Sequence, residues 1–426
     1  MELGLLIGLL LLLLVLGVPV AFALGIASLA TFYALDIPLV VAFQRMAASM
    51  NIFALMAIPF FVFAGDLMHR AGIAERLIRV ADAALGQTRG GLGQVGVGAS
   101  MMFGAVSGSA IASVSAIGST LGPMMLEKDY DSDYVVNVSA TSAITGLLIP
   151  PSHNMIIYAA AAGVSISLAD LFLAGVLPGL LTGVLLMFVA YSVARKRNYP
   201  RGSFPGWRSF ALSFAGAIPG LLSAGIVVVG VLSGVFTPTE SAGIAVVYTI
   251  LVAIFIYRSL TWEKFFQATV ASVRTTAMVM IVIGAAGAFG WLLALLQAPA
   301  QLADLLKGIT ENPVLLLLLI NVVLLLLGTF MDMAPLIIIT TPIFLPMATE
   351  LGMDPVHFGA MLLLNLGIGL VTPPVGAVLF VGCAIGKIPI EQTVRTIWPF
   401  YGALMLALAA VIYVPGLSLW LPGLLG

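Results

Sequence analysis

Runs of apolar residues long enough to cross a bilayer, about twenty residues each, recur along this chain. They fall near 3–35, 50–68, 134–160, 168–194, 210–235, 240–257, 275–298, 357–385 and 396–420, the first open to a break at Pro19. Two further apolar stretches do not read as simple spans. Residues 92–126 turn small and polar in the middle, at Ser107, Gly108 and Ser109, and end at Glu127-Lys128-Asp129. Residues 313–349 climb a leucine-rich arm, turn between Gly328 and Pro335, and end at Glu350. Both predict re-entrant helical hairpins that enter and leave on one side, each with a polar tip at membrane depth.

One pattern is written twice. Residues 146–163 read GLLIPPSHNMIIYAAAAG and residues 369–386 read GLVTPPVGAVLFVGCAIG. Neither ring nitrogen of a Pro-Pro pair donates a hydrogen bond, and both rings clash with the preceding helical turn. In hydrocarbon the carbonyls so freed need partners in protein, water or an ion. The spans at 134–160 and 357–385 are therefore broken helices. A shift of 223 residues sets Gly146 on Gly369 with both proline pairs in register, and also Pro123 on Pro346, Glu127 on Glu350 and Asp131 on Asp354. A register kept across hairpin and broken helix together implies an internal repeat.

Composition and charge sharpen this. Hydrophobic residues make up 61% and charged residues 8% of 426 positions, against about 25% charge in a soluble domain, so the fold class is an all-α polytopic membrane protein. The formal charge of −1 and the lack of a basic stripe exclude a nucleic-acid partner. One cysteine, Cys383, excludes an internal disulfide. With the Arg195-Lys196-Arg197 loop placed in the cytoplasm, and both hairpins re-entrant, 15 of the 17 basic residues fall on the inner side, leaving Arg45 and Lys307 outside; cytoplasmic loops collect such residues. The two hairpins then enter from opposite faces. The repeats are inverted, as is common in secondary transporters. The segments 66–93 and 258–274 predict interfacial amphipathic helices, with Leu67, Ile73, Leu77 and Ile78 toward lipid or protein; coupling arms between domains are the alternative.

The candidate chemistry lies at tips and breaks. Ser107 and Ser109 with exposed carbonyls offer hard oxygen ligands that suit sodium, although a close helix contact uses the same small residues. Asp332 is a carboxylate between two apolar arms, where a charge is costly and calls for a partner; it either neutralises an ion or caps the tip through backbone N–H groups. Thr141, Ser142, Thr145 and Ser152 flank the first proline pair, Asn365 and Thr372 the second. Half-helix N-termini suit an anionic substrate and half-helix carbonyl ends a cation. His153, beside the first break, reads as a structural histidine more readily than as a relay. There is no Gly-Lys-Ser/Thr phosphate loop and no HExxH or Gly-x-Ser-x-Gly element in a supporting context, so no enzyme is predicted.

At these residues a family becomes recognisable. Phe63-Ala64-Gly65-Asp66-Leu67-Met68, Ser107-Gly108-Ser109, Pro342-Ile343-Phe344-Leu345-Pro346 and the stretch 365–376, NLGIGLVTPPVG, resemble the large membrane subunit of tripartite ATP-independent periplasmic (TRAP) transporters. The resemblance covers essentially the whole chain. It implies a sodium-driven importer of an organic acid in the bacterial inner membrane, working by an elevator motion. It implies two partners, a separate small four-helix membrane subunit and a periplasmic substrate-binding protein, and no cofactor beyond the coupling ions. The regions it implies are an N-terminal scaffold helix region at 1–44, a first inverted repeat at 45–195, a loop, scaffold helices and arm at 196–266, and a second inverted repeat at 267–426. Carried over by position, one sodium site takes Ser107, Ser109, Gly328, Gly369, Thr372 and Val375, and a second takes Gly146, Pro150 and Ser152 facing Asp332. Substrate contacts carry over to Ser107, Gly108, Thr141, Ser142, Pro151, Asn154, Asn365, Pro373 and Pro374. Ile149 stands where Thr372 stands in the other repeat, so the two sites are expected to differ, the first relying more on carbonyls. A stand-alone ion-coupled carrier or antiporter without a binding protein is the alternative, and a channel a weaker one.

Overall fold

The computed structural model describes residues 2–308, 310 and 312–425, and of residues 303, 306 and 307 the backbone alone. Met1 and the side chain of Lys307, one of the two cations assigned to the outer face, lie outside that description.

The described chain is helical. It begins with α1 (Glu2–Val15), α2 (Val20–Ala34) and α3 (Leu39–Met50). The predicted span at 3–35 is two helices, parted where Gly17 takes a left-handed φ of +78° and Pro19 starts the next turn. A 3-10 turn at Phe53–Met56 leads into α4 (Ala57–Arg70), followed by α5 (Ile73–Leu85). The first hairpin is α6 (Gly91–Ser107) and α7 (Ala110–Leu126). The first broken helix is α8 (Ser132–Ala143), the single turn α9 (Thr145–Leu148) and α10 (His153–Ala161), bent by 53° at the proline pair.

Next come α11 (Leu168–Lys196), α12 (Trp207–Leu232), α13 (Pro238–Leu251, with a π turn to Ile256), α14 (Trp262–Leu295) and α15 (Ala298–Lys307). A capping box between Thr237 and Glu240, with Pro238 at the first helical position, fixes the start of α13. The second hairpin is α16 (Pro313–Gly328) and α17 (Met333–Glu350), and the second broken helix α18 (Pro355–Gly369) and α19 (Ala377–Gly386). The chain closes with α20 (Ile390–Thr396), α21 (Trp398–Tyr413) and α22 (Gly416–Leu425). Among the described residues six helices are long and apolar enough to cross a membrane, and up to nine spans result if each bent pair is one.

Both hairpins and both breaks fall where the sequence put them. Three other expectations change. The segment 258–274 and the span 275–298 are one unbroken 34-residue helix, α14. The span at 396–420 is bent by 56° between α21 and α22, where Pro415 cannot donate to the preceding turn. The short helix α3 was not expected; it packs on α14, with the Arg45 guanidinium 4.9 Å above the Trp291 ring. In the 66–93 segment, Leu67 belongs to α4, and Ile73, Leu77 and Ile78 on α5 are buried against protein rather than lipid. Here α5 lies on α6 and α12.

The repeats interlock through their second halves. α10, from the first repeat, packs on α17 and α18 of the second; α19, from the second, packs on α7 and α8 of the first. Around this pair α2, α3, α4 and α13 gather on or beside α14, while α11 backs α6, α9, α18, α21 and α22.

Candidate functional site

Each hairpin tip meets the break of its own repeat, and glycine makes the contact possible. In the first repeat α6 ends in a left-handed Gly108 (φ +62°), whose N–H returns to the Gly104 carbonyl at 2.7 Å, a glycine helix stop. A Cβ on Gly104 would lie 2.1 Å from the Gly146 Cα, and one on Gly146 would lie 2.5 Å from the Gly104 Cα. Only two bare backbones fit there. One turn on, a Cβ on Gly108 would stand 3.1 Å from the Pro151 carbonyl and 3.2 Å from the Ser152 Cα. The second repeat does the same. A Cβ on Gly369 would lie 2.5 Å from the carbonyl carbon of Gly328, and the Val375 N–H donates to the Thr329 carbonyl at 3.1 Å.

This pairing sorts helix ends by sign. The Gly-Gly contacts join the carbonyl ends of α6 and α9, and of α16 and α18. The Gly108–Ser152 and Thr329–Val375 contacts join the loops from which α7 and α10, and α17 and α19, begin. Carbonyl ends carry partial negative charge and amide ends partial positive charge. Each repeat therefore has one edge suited to a cation and an adjacent edge suited to an anion.

The two breaks differ in how their freed groups are satisfied. Pro150 and Pro151 cannot donate to the carbonyls of Gly146 and Leu147, and among the described residues neither carbonyl has another hydrogen bond. Ser152 is fully buried with an unpartnered Oγ, and His153 carries an unpartnered, buried Nδ1. In the second break the Gly369 carbonyl takes the Thr372 N–H at 2.9 Å and the Leu370 carbonyl takes the Val378 N–H at 3.0 Å. There the Thr372 hydroxyl donates to the Ile368 carbonyl at 2.8 Å, and Tyr401 donates to the Val371 carbonyl. The two breaks differ in the groups themselves: two free carbonyls and the free Ser152 hydroxyl at the first, and at the second a threonine hydroxyl that is itself engaged. Both proline pairs have a cis peptide bond.

Access differs too. Pro150, Pro151 and Ser152 are buried, whereas Pro374 and Val375 are exposed and Pro373 is half-buried. The first tip is covered by α4: a Cβ on Gly65 would stand 3.1 Å from the Ser107 Cα. Ser107 is buried; Ser109, half-buried, caps α7 by accepting the Ala112 N–H at 3.3 Å.

Asp332 is exposed between buried Met331 and Met333, and one carboxylate oxygen accepts the Met333 N–H at 2.9 Å. It is the N-cap of α17, and α17 runs against α10, the half-helix that follows Ser152. Thr141, Ser142, Asn154 and Asn365 are buried inside helix packing. Thr141 donates to the Asn137 carbonyl, Ser142 to the Ser100 hydroxyl at 3.0 Å, and the Asn365 amide to the Asn321 carbonyl and side-chain oxygen at 2.9 Å each. Ser142 and Asn365 are equivalent under the 223-residue shift, and each ties its broken helix to its own hairpin. Asn365 keeps an unpartnered side-chain oxygen.

Sequence reasoning missed Gly65, Ser100, Asn321 and Tyr401 as parts of this assembly, and the contact of Gly104 with Gly146. A signal for Gly104 existed: shifted by 223 it lands on 327, one residue from Gly328.

Two inverted hairpins facing two broken helices define a membrane-transporter fold. A solved structure, that of the YdaH transporter of Alcanivorax borkumensis, is similar with a TM-score of 0.60 at 17% identity, covering 91% of this chain and 90% of that one. The model of the family described as tripartite ATP-independent periplasmic transporter, DctM component, matches residues 7–417, and the chain belongs to that family. It is 43% identical to the uncharacterized protein YgiK of Salmonella typhimurium over 96% of this chain and 94% of that one. It is 41% identical to the C4-dicarboxylate TRAP transporter large permease of Pseudomonas aeruginosa, covering 88% and 87%. It is 38% identical to the sialic acid TRAP transporter large permease of Vibrio cholerae, covering 96% and 95%. The chain is thus a large permease component, a multi-pass membrane transport protein and not an enzyme.

Proposed function

We propose that this chain couples sodium entry to the import of a small organic acid across the bacterial inner membrane. The observation that carries the reading is the doubled tip-and-break arrangement, in which carbonyl ends and amide ends of half-helices meet side by side. A carboxylate at the amide edge and sodium at the neighbouring carbonyl edge neutralise each other at the depth where neither is stable alone. The unbonded Gly146 and Leu147 carbonyls and the orphaned Ser152 hydroxyl supply oxygen to the first ion. The second ion takes Gly328, Gly369, Thr372 and the Val375 carbonyl, while Ser107 and Ser109, on the tip that meets the first break, go with the first ion, to which Asp332 contributes charge. The substrate lies across Gly108, Pro151, Pro373 and Pro374, with Asn154 and the free oxygen of Asn365 behind them. Relatives named for sialic acid and C4-dicarboxylates favour a carboxylate.

The interlocked hairpins and broken helices move as one body against the helices gathered on α14, an elevator motion. A small four-helix membrane subunit and a periplasmic substrate-binding protein complete the transporter. Proteoliposomes holding this chain test the reading: uptake requires the small subunit, the binding protein and an inward sodium gradient together. Saturable uptake by this chain alone, from free substrate, rejects it in favour of a stand-alone carrier.

A further inference from the structure

Where α4 crosses α14, an open groove of about 440 Å3 is lined by Arg70, Phe266, Gln267, Val270, Arg274 and Thr275. We propose that it binds the headgroup of an anionic phospholipid, with the acyl chains lying along the exposed face of α14 below it.

Three observations carry this. First, Arg274 is exposed and has no hydrogen-bond or ion-pair partner among the described residues. Arg70 differs: Asp66 takes its Nε at 2.9 Å and Gln267 one terminal nitrogen at 2.8 Å, which holds the guanidinium across the α4–α14 gap. Glu263 accepts from the other end of Gln267 at 3.0 Å, so the polar chain Asp66–Arg70–Gln267–Glu263 is occupied within itself, and Arg274, eleven residues further along α14 than Glu263, is the cation left without a contact.

Second, Arg274 sits at the depth of lipid phosphates. Residues 275–295 of α14 hold no charged side chain, and at 1.5 Å per residue they span about 31 Å, the thickness of the hydrocarbon core. Arg274 therefore marks the boundary of the hydrocarbon core.

Third, exposed Met278 and Ile281 lie one and two turns below Arg274 on α14, a track for acyl chains. An acidic segment of a protein partner outside the membrane would satisfy Arg274 as well, but it leaves this apolar track without a function, and a partner helix within the membrane is separated by the test below. Basic pockets at membrane interfaces recognise anionic headgroups by the same chemistry.

The test is lipid retention by the purified full-length chain, read by native mass spectrometry with phosphatidylglycerol or phosphatidylcholine supplied. The wild type should retain phosphatidylglycerol about tenfold better. Arg274→Gln should bring the two to parity, Arg274→Lys should keep most of the preference, and Arg208→Gln, an exposed basic residue elsewhere, should keep all of it. Equal retention in the wild type, or an unchanged preference in Arg274→Gln, overturns the proposal. So does loss of a co-purifying membrane protein from Arg274→Gln with lipid retention intact. A photoactivatable phosphatidylglycerol gives an answer without any variant: labelling of the wild type at residues 262–275 supports the site, and labelling only elsewhere overturns it.

Discussion

Replacing Gly104 with alanine tests the tip-and-break contact where it is tightest. The new Cβ would lie 2.1 Å from the Gly146 Cα and 3.0 Å from the Gly146 nitrogen, all of it backbone that no rotamer change can move aside. Ordinary contact begins near 3.4 Å, so the tip and the break must separate by about 1.3 Å. Overpacking of this kind costs about 1–3 kcal/mol, and a shift of about 1 Å in a positioned site can cost about 100-fold in rate. Sodium-driven uptake should therefore fall by one to two orders of magnitude, with a melting temperature in detergent several degrees lower. Gly328→Ala should be milder, because its Cβ would stand 3.1 Å from the Gly369 Cα. Gly225→Ala, on α12 with nothing within 4 Å, is the control and should gain up to about 1 kcal/mol from helix propensity. Full uptake and an unchanged melting temperature in Gly104→Ala would refute the contact.

Asp332→Asn keeps an N-cap on α17 but removes the charge, so stability should hold while the apparent sodium affinity falls at least tenfold; an unaltered sodium dependence reduces Asp332 to a cap. Ser152→Ala removes a buried hydroxyl that has no partner, so stability should stay level or rise by about 1 kcal/mol while sodium affinity drops; unchanged sodium titrations in a thermal-shift assay remove Ser152 from the ion site. Arg197→Gln breaks a two-pronged pair with Asp133, at 2.8 Å on both nitrogens, and a third contact to Asp131 at 2.9 Å. It leaves the nearly buried Asp133 carboxylate unpaired, which should cost about 2–3 kcal/mol and lower the melting temperature without changing the sodium dependence of uptake.

The parts legible in the sequence were those that local chemistry enforces. Pro150-Pro151 and Pro373-Pro374 cannot continue a helix anywhere, and Gly108 and Asp332 sit where a helix must stop or start, so breaks and tips were visible without neighbours. The threonine-for-isoleucine difference at 372 and 149 likewise showed that the two breaks do not carry the same groups. What escaped depended on distant contacts. Gln44 and Arg45 interrupt the hydropathy of α3, and its twelve residues are too short to signal a span, yet α14 holds it. Arg274 looked like the end of an arm, but one charge does not end a helix, and α14 runs through it. Ser100 and Asn321 lie in apolar arms with no local mark; their role appears only when Ser142 and Asn365 are found opposite them. The packing of α10 on α17 and of α19 on α7 joins residues some two hundred positions apart, and no periodicity reports that.

The most direct test of the account is a dual-label flux measurement in proteoliposomes containing this chain with its small subunit and binding protein. Sodium-22 and labelled organic acid should enter together in a fixed ratio, with both fluxes abolished when the sodium gradient is collapsed and both impaired in Gly104→Ala. Organic-acid uptake that continues at its full rate without a sodium gradient would contradict the claim that the paired tips and breaks bind the two ions of opposite sign as one unit.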